Sequence, residues 1–329
     1  RDRLHAFRGG SGQNPWGVAF GPWGEPFVKG NNTELSELLP VMVPTENRHR
    51  PLDIGATRIK AMICEIVDSP ALPDDLQGDI LIAGYFGRLI DRLAMQPDGS
   101  GHRGDLQAPL LRSDHPSFRP VDIQTGPDGA LYIADWFNPI IGHYQASLRH
   151  PDRDKTHGRI WRLTATGRPT AKLTDLTTLP TDVLLGHLET APLRERERIR
   201  ITLSHRDREE VLSAVKTWVA ALDASDPRHE HQLFEALCLH EWREDVQAEL
   251  LERLLAARDP LARAYATRVL GRWHDRLPDP LPALERAVRN SHPRVRLEAV
   301  VALSEVPGPE AITVALQALD QATDRFLEA

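Results

Sequence analysis

Cysteine is scarce in this sequence, with Cys64 and Cys238 the two among 329 residues. Both have apolar neighbours and lie in stretches of different character. They are expected as buried free thiols, which rules out a disulfide framework and leaves the redox compartment unidentified. Long apolar runs are missing too. No stretch approaches the roughly eighteen residues a membrane-crossing helix needs, and the opening Arg1-Asp2-Arg3-Leu4-His5 lacks the apolar core of a signal peptide. The chain has no initiator Met and is therefore expected to be a processed or excised piece whose targeting signal lies elsewhere. A basic block is absent as well. Forty Lys and Arg are dispersed among 47 Asp and Glu for a net charge of −7, which makes no electrostatic case for a nucleic-acid partner. There is no dinucleotide fingerprint, zincin helix or nucleophile elbow. Gly9-Gly10-Ser11-Gly12 lacks the Lys-Ser/Thr ending of a phosphate loop, which argues against nicotinamide and nucleotide chemistry.

What is present divides into two patterns. Asn14-Pro15-Trp16 leads through an alternating strand to Gly21-Pro22-Trp23-Gly24, and 105 residues later Arg119-Pro120-Val121 leads to Gly126-Pro127-Asp128-Gly129 and the alternating Leu131, Ile133. Pro fixes φ at the second turn position and the closing Gly accepts positive φ, so each copy reads as strand, tight turn, strand. Between them, Gly78-Asp79-Ile80-Leu81-Ile82-Ala83-Gly84 is another short apolar strand, with Glu65-Ile66-Val67 before it and Arg88 to Leu93 after it. A spacing of roughly 50 residues is that of a four-stranded propeller blade. About three blades are expected, too few to close a ring.

Beyond Pro180 the period becomes helical. Asp226-Pro227, Asp259-Pro260 and His292-Pro293 recur every 33 residues, and Leu237, Leu270 and Leu303 fall in one register, as do Leu233, Ala266 and Ala299. Each unit is expected to be a helical hairpin that buries its apolar stripe only by stacking on its neighbours. The fold class is thus a partial β-propeller over residues 1–167, followed by a linker and a HEAT-like α-solenoid over 168–329. The charged stretch from Arg194 to Arg208 is expected to be a solvated helical face.

Several longer motifs resemble a known family. They are Phe118 to Ile123, the run Asp135-Trp136-Phe137-Asn138-Pro139-Ile140-Ile141-Gly142-His143, and Arg153 to Arg162, together with Cys64-Glu65-Ile66-Val67 and the Leu72 to Gly78 section. They look like the propeller region of large, exported, membrane-associated dehydrogenases of planctomycete and verrucomicrobial type, whose propeller is similar to sorbosone and soluble glucose dehydrogenases. The resemblance implies a periplasmic or extracellular protein, a sugar or polyol substrate, and pyrroloquinoline quinone with calcium as cofactors. Family members commonly carry a haem module with a Cys-x-x-Cys-His signature. Neither Cys here has that setting, so no haem is expected in this chain.

The densest functional signal runs from Arg119 to His157. His143 is a candidate general base and Arg119 a rigid donor fork for a carboxylate or quinone oxygen, with Asp122 and His157 completing the catalytic set. His143 also reads as a loop-securing side chain, Asp122 as an acceptor of inter-blade backbone hydrogen bonds, and His157 as part of a local salt-bridge network. Arg119, Trp136 and Glu65 are the cofactor-binding candidates, and Glu65 equally reads as the partner of an inter-blade Arg. Asp135 and Asn138 could form a fragment of an oxygen-rich calcium site. Two functional classes follow: a quinone-dependent sugar or polyol dehydrogenase module, or a non-catalytic propeller and solenoid that bind a protein, glycan or cell-surface polymer.

Overall fold

The computed structural model describes residues 14–30, 32–42, 51–142 and 146–328. Three antiparallel sheets come first. β1 (Gly17–Phe20), β2 (Pro26–Lys29), β3 (Glu34–Glu37) and β4 (Asp53–Ala56) form the first, in sequence order. The second contains β5 (Met62–Ile66), β6 (Ile80–Gly84), β7 (Leu89–Asp98) and β8 (Gly101–Leu106), with the short β9 (Leu111–Arg112) on β7. β10 (Pro120–Thr125), β11 (Leu131–Asp135) and β12 (Arg159–Leu163) form the third. β1 and β10 both lie against β5, so the first strands of the three sheets are adjacent.

The two Gly-Pro turns are built alike. Gly21 N–H donates to Glu25 O (2.8 Å) and Gly24 N–H to Gly21 O (3.0 Å); Gly126 N–H donates to Ala130 O (2.8 Å) and Gly129 N–H to Gly126 O (2.9 Å). Gly24 and Gly129 have φ of 81° and 80°, the left-handed backbone that Gly adopts without a Cβ clash.

Nine α-helices follow among the described residues: α1 (Thr181–Leu188), α2 (Leu193–Ser204), α3 (Arg208–Ala221), α4 (His229–Trp242), α5 (Ala248–Leu255), α6 (Pro260–Arg272), α7 (Leu281–Val288), α8 (Pro293–Glu305) and α9 (Pro309–Leu316). Asp259 caps α6 by accepting from Leu261 N–H (2.7 Å), with Pro260 in the first turn where no donor is needed. Leu237, Leu270 and Leu303 are buried, as are Leu233, Ala266 and Ala299. No described helix is long and apolar enough to cross a membrane.

The helices and the sheets each have a core of their own, and a third is shared between them. Leu193 of α2, Leu297 of α8 and Phe326 pack with Phe27, Leu35, Ile54, Ile80 and Leu93 of the first two sheets. The charged stretch around α2 is therefore not a solvated face. Leu193, Arg196, Ile199 and Leu203 are its buried side, Leu193 N–H donates to Asp68 (2.7 Å), and Arg194 pairs with Glu65. Deeper in the same seam, Arg294 of α8 donates to Glu37 of β3 (2.8 Å) and to Ser100 O (3.0 Å).

Candidate functional site

The candidate residues separate along the strand direction. Arg119 precedes β10, Tyr85 follows β6 and Trp136 follows β11, so all three lie at one end of their sheets. Thr125 and Glu65 lie towards the other end. Glu65 does not join Arg119 and Trp136. Its buried carboxylate accepts from Thr125 N–H (2.8 Å) and from Arg194 Nε (3.0 Å), tying two sheets to α2. The partner is thus a helix arginine, not an inter-blade one.

At the first end the polar residues interlock. Arg119 spends its guanidinium on backbone carbonyls: Nε on Asn138 O (3.0 Å), Nη1 on Tyr85 O (3.1 Å) and Nη2 on Pro139 O (3.2 Å). Burial, then the nearby Arg88, draw its pKa below the ordinary arginine value. Asp135 Oδ1 accepts from Arg119 N–H (2.8 Å) and Phe137 N–H (2.9 Å), and Oδ2 accepts from Trp161 Nε1 (3.0 Å). These bonds hold Phe137 at φ 50°, a strained conformation for an aromatic residue. Asn138 accepts from Ile140 N–H and donates to Asp154 O, both at 3.1 Å.

Asp154 carries the network to the surface. Its Oδ1 accepts from the backbone N–H groups of Thr156 and His157 (2.9 Å each), bonds that lower its pKa to about 2. Its Oδ2 lies 2.8 Å from Nδ1 of His157, whose ring is largely exposed. Arg153, beside Asp154 in sequence, does not join this pair and donates instead to the carbonyls of Ser147, Ile140 and Ala146. Beside it, Phe137 stacks on His115 (5.4 Å between centroids), meets His157 edge-on (6.3 Å) and carries the Arg159 guanidinium 3.6 Å from its ring centre. Trp136 is 43% exposed. At the same end, Trp16 packs near Tyr85 (6.0 Å) and Lys60 sits over the Trp16 ring.

The structure therefore brings Arg119, Asp135, Asn138 and His157 into one bonded chain through Asp154. Asp122 stays outside it, its carboxylate accepting from Ile123 N–H (2.8 Å). His143 lies outside the described residues. Sequence reasoning missed Tyr85, His115 and Arg159. The first offers a main-chain carbonyl and a ring packed near Trp16, and the others act through ring contacts with Phe137, none of which leaves a motif.

These side chains do not fit the implied cofactors. Three N–H groups already occupy the Asp135 carboxylate and compete with a calcium ion for it, and no cluster of three His, Cys, Asp or Glu suited to a metal occurs among the described residues. Three of the five Arg119 N–H donors are on carbonyls, and Glu65 lies at the far strand end, so the two do not form a common quinone site. Two cavities of about 400 and 460 Å³ lie among the helices, away from this network.

Residues 53–167 match a family described as a domain of unknown function, DUF7133, and residues 247–329 match HEAT repeats. No curated protein matches the chain. Among solved structures it is similar to a glucose dehydrogenase (20% identity, 37% of each chain covered, TM-score 0.29) and to a second one (19% identity, 46% of this chain and 45% of that chain, TM-score 0.32). A third is an oxidoreductase of glucose dehydrogenase type from Thermus thermophilus (21% identity, 38% of this chain and 39% of that chain, TM-score 0.29). The chain spans less than half the length of each, and TM-scores near 0.3 carry no argument about fold or activity.

Proposed function

We propose that this chain is a binding and scaffolding module of an exported, dehydrogenase-type protein: three blades of a propeller, braced by HEAT-type repeats, that present an aromatic and cationic strand-end face to a sugar, polyol or glycan. One observation carries the reading. Arg119, Asp135 and Asn138 are satisfied by backbone and framework groups, so they build the face that displays Trp136, Phe137, Arg159 and His157 instead of reacting there. An exposed indole offers a flat apolar surface on which a sugar ring stacks, and neighbouring cations and imidazoles supply hydrogen bonds to its hydroxyls. Titration of tryptophan fluorescence with neutral oligosaccharides tests this. Saturable quenching that Trp136→Ala reduces about tenfold in affinity is expected; a titration unchanged by Trp136→Ala removes the face from the reading.

A second reading rests on the His157–Asp154 pair. Asp154 fixes Nδ1 of the imidazole, leaving Nε2 to accept a proton from a bound alcohol, which is the part a general base plays in polyol oxidation. The electron acceptor would lie outside the described residues. In a dye-reduction assay on the native protein, His157→Gln should lower turnover about 100-fold with substrate binding retained. Equal turnover rejects the base.

A further inference from the structure

We infer that the strand-end face takes an acidic glycan, one whose rings carry carboxylates or sulfates, and that it extends from the third sheet across the second to the first. This rests on the sugar-binding reading above and adds the charge of the ligand. The extension is built from contacts. Trp136 N–H donates to Arg119 O (2.9 Å), and the Arg119 guanidinium reaches Tyr85 O (3.1 Å) at the end of β6. The Tyr85 ring meets Phe86 (4.5 Å between centroids), which is 39% exposed, and Trp16 (6.0 Å), one residue before β1. Aromatic rings therefore run from Trp136 to Trp16 over the ends of three sheets, a surface on which successive sugar rings can stack. Within it Tyr85 is 8% exposed, and its hydroxyl has no hydrogen-bond partner among the described residues. The oxygen is not fully enclosed either, so it opens on solvent at the face. Burial pushes its pKa up to about 12, which keeps the phenol protonated as a donor for an oxygen acceptor.

Charge selects among glycans. Lys60, Arg88 and Arg159 have no ion-pair partner among the described residues. Lys60 sits over the Trp16 ring (5.1 Å) and Arg159 over Phe137 (3.6 Å). Arg88, one residue before β7, is close enough to Arg119 that its charge adds to burial in lowering the Arg119 pKa. The nearby carboxylates are engaged: Asp91 by Arg58, Asp135 by three N–H groups, and Asp154 by two N–H groups and His157. In the described loops at this end, Asp114, exposed beside His115, is the one acid without a partner. Cations gathered with so little counter-charge attract an anion. Stacking on a ring leaves the N–H edges of a guanidinium free, and those edges bond the oxygens of a carboxylate or sulfate in pairs.

The test is titration calorimetry of the full chain with tetragalacturonate, its neutral methyl ester and sulfated maltotetraose. An acidic sugar is expected to bind about tenfold or more tighter than the ester, and salt should weaken the acidic sugar alone. The tighter of the two acidic sugars tells carboxylate from sulfate. Lys60→Gln combined with Arg88→Gln should bring the ratio of acidic to ester affinity to about one, and Lys60→Arg combined with Arg88→Lys should keep it. Tyr85→Phe removes an O–H that bonds nothing in the protein, so it should weaken the acidic sugar about tenfold with the melting temperature unchanged. A ratio near one in wild type, or one that the double Gln variant leaves unchanged, overturns the inference while the sugar-binding reading stands. Failure of all three sugars to bind removes both. Pyrroloquinoline quinone bound more tightly than either acidic sugar, and lost in the double Gln variant, assigns the cations to a cofactor and also overturns the inference.

Discussion

Glu37 meets two cations from distant parts of the chain. His102 Nδ1 lies 2.9 Å from one oxygen and Arg294 Nη1 2.8 Å from the other; Arg294 also donates to Glu298 (3.1 Å), which is held in turn by Arg268 (2.6 Å). Burial pushes the Glu37 carboxyl up, but the His102 hydrogen bond and the Arg294 charge outweigh it and hold the group below its ordinary 4.5. Burial pushes His102 down, and Glu37, aided by Glu25, raises it above 6.5. A depressed acid stabilises above its unfolded value and loses that contribution as pH falls through its folded one. A raised histidine stabilises below 6.5 and loses its contribution as pH rises through its folded value. The pair therefore contributes fully between about 4.5 and 6.5 and weakens on the alkaline side first. Urea unfolding from neutral to mildly alkaline pH should show wild type losing stability relative to His102→Gln. Taking the difference cancels Lys29, which burial lowers to about 8 and which titrates in the same range in both proteins. A difference independent of pH would show that His102 does not titrate against Glu37. Arg294→Met takes one cation from each of two buried carboxylates and leaves His102 on Glu37 and Arg268 on Glu298, so it should cost less than the ~3–5 kcal/mol of a fully stranded charge in the same assay.

At the scale of elements, what the sequence made legible was whatever repeats or turns locally. The Gly-Pro turns, the apolar strands and the 33-residue register are set by neighbours in sequence, and the structure has them where φ and periodicity demand. The register carries an energetic consequence. Leu270, buried on α6, becomes a cavity in Leu270→Ala, expected to cost about 2–5 kcal/mol by denaturant unfolding. A loss below about 0.5 kcal/mol, as for surface changes, would break the assigned equivalence with Leu237 and Leu303. α2 was illegible because its buried side includes Arg196 beside Leu193, Ile199 and Leu203, so its polarity resembles a solvated helix. What satisfies it, Asp68 and Glu65, lies more than 120 residues earlier in the chain. The site was legible in the same partial way. Arg119, Asp135, Asn138 and His157 lie within one stretch and do form one network, but which atoms are already spent on carbonyls and amides is decided by loop geometry. No motif encodes that.

At the scale of the molecule, the strands end at Leu163 and the α-helices begin at Thr181, and beside a core of its own each part contributes to a third core that the two share. Leu193, Leu297 and Phe326 come from the helical side and are buried among strands; Arg194–Glu65, Arg294–Glu37 and Asp324–Ser100 cross the same seam. Removing the helices would bare those apolar side chains, take Arg194 from Glu65 and leave Glu37 with His102 as its one cation, a cost that weighs against a marginal stability. The two parts should therefore unfold together. Calorimetry of the chain is expected to give one transition with matching calorimetric and van't Hoff enthalpies. In Arg194→Ala combined with Leu297→Ala, which remove a charged and an apolar link, the transition should broaden or split, the sheets melting before the helices. Helical and strand signals that separate already in wild type would show that the seam is decoration and that the solenoid folds independently of the sheets it covers.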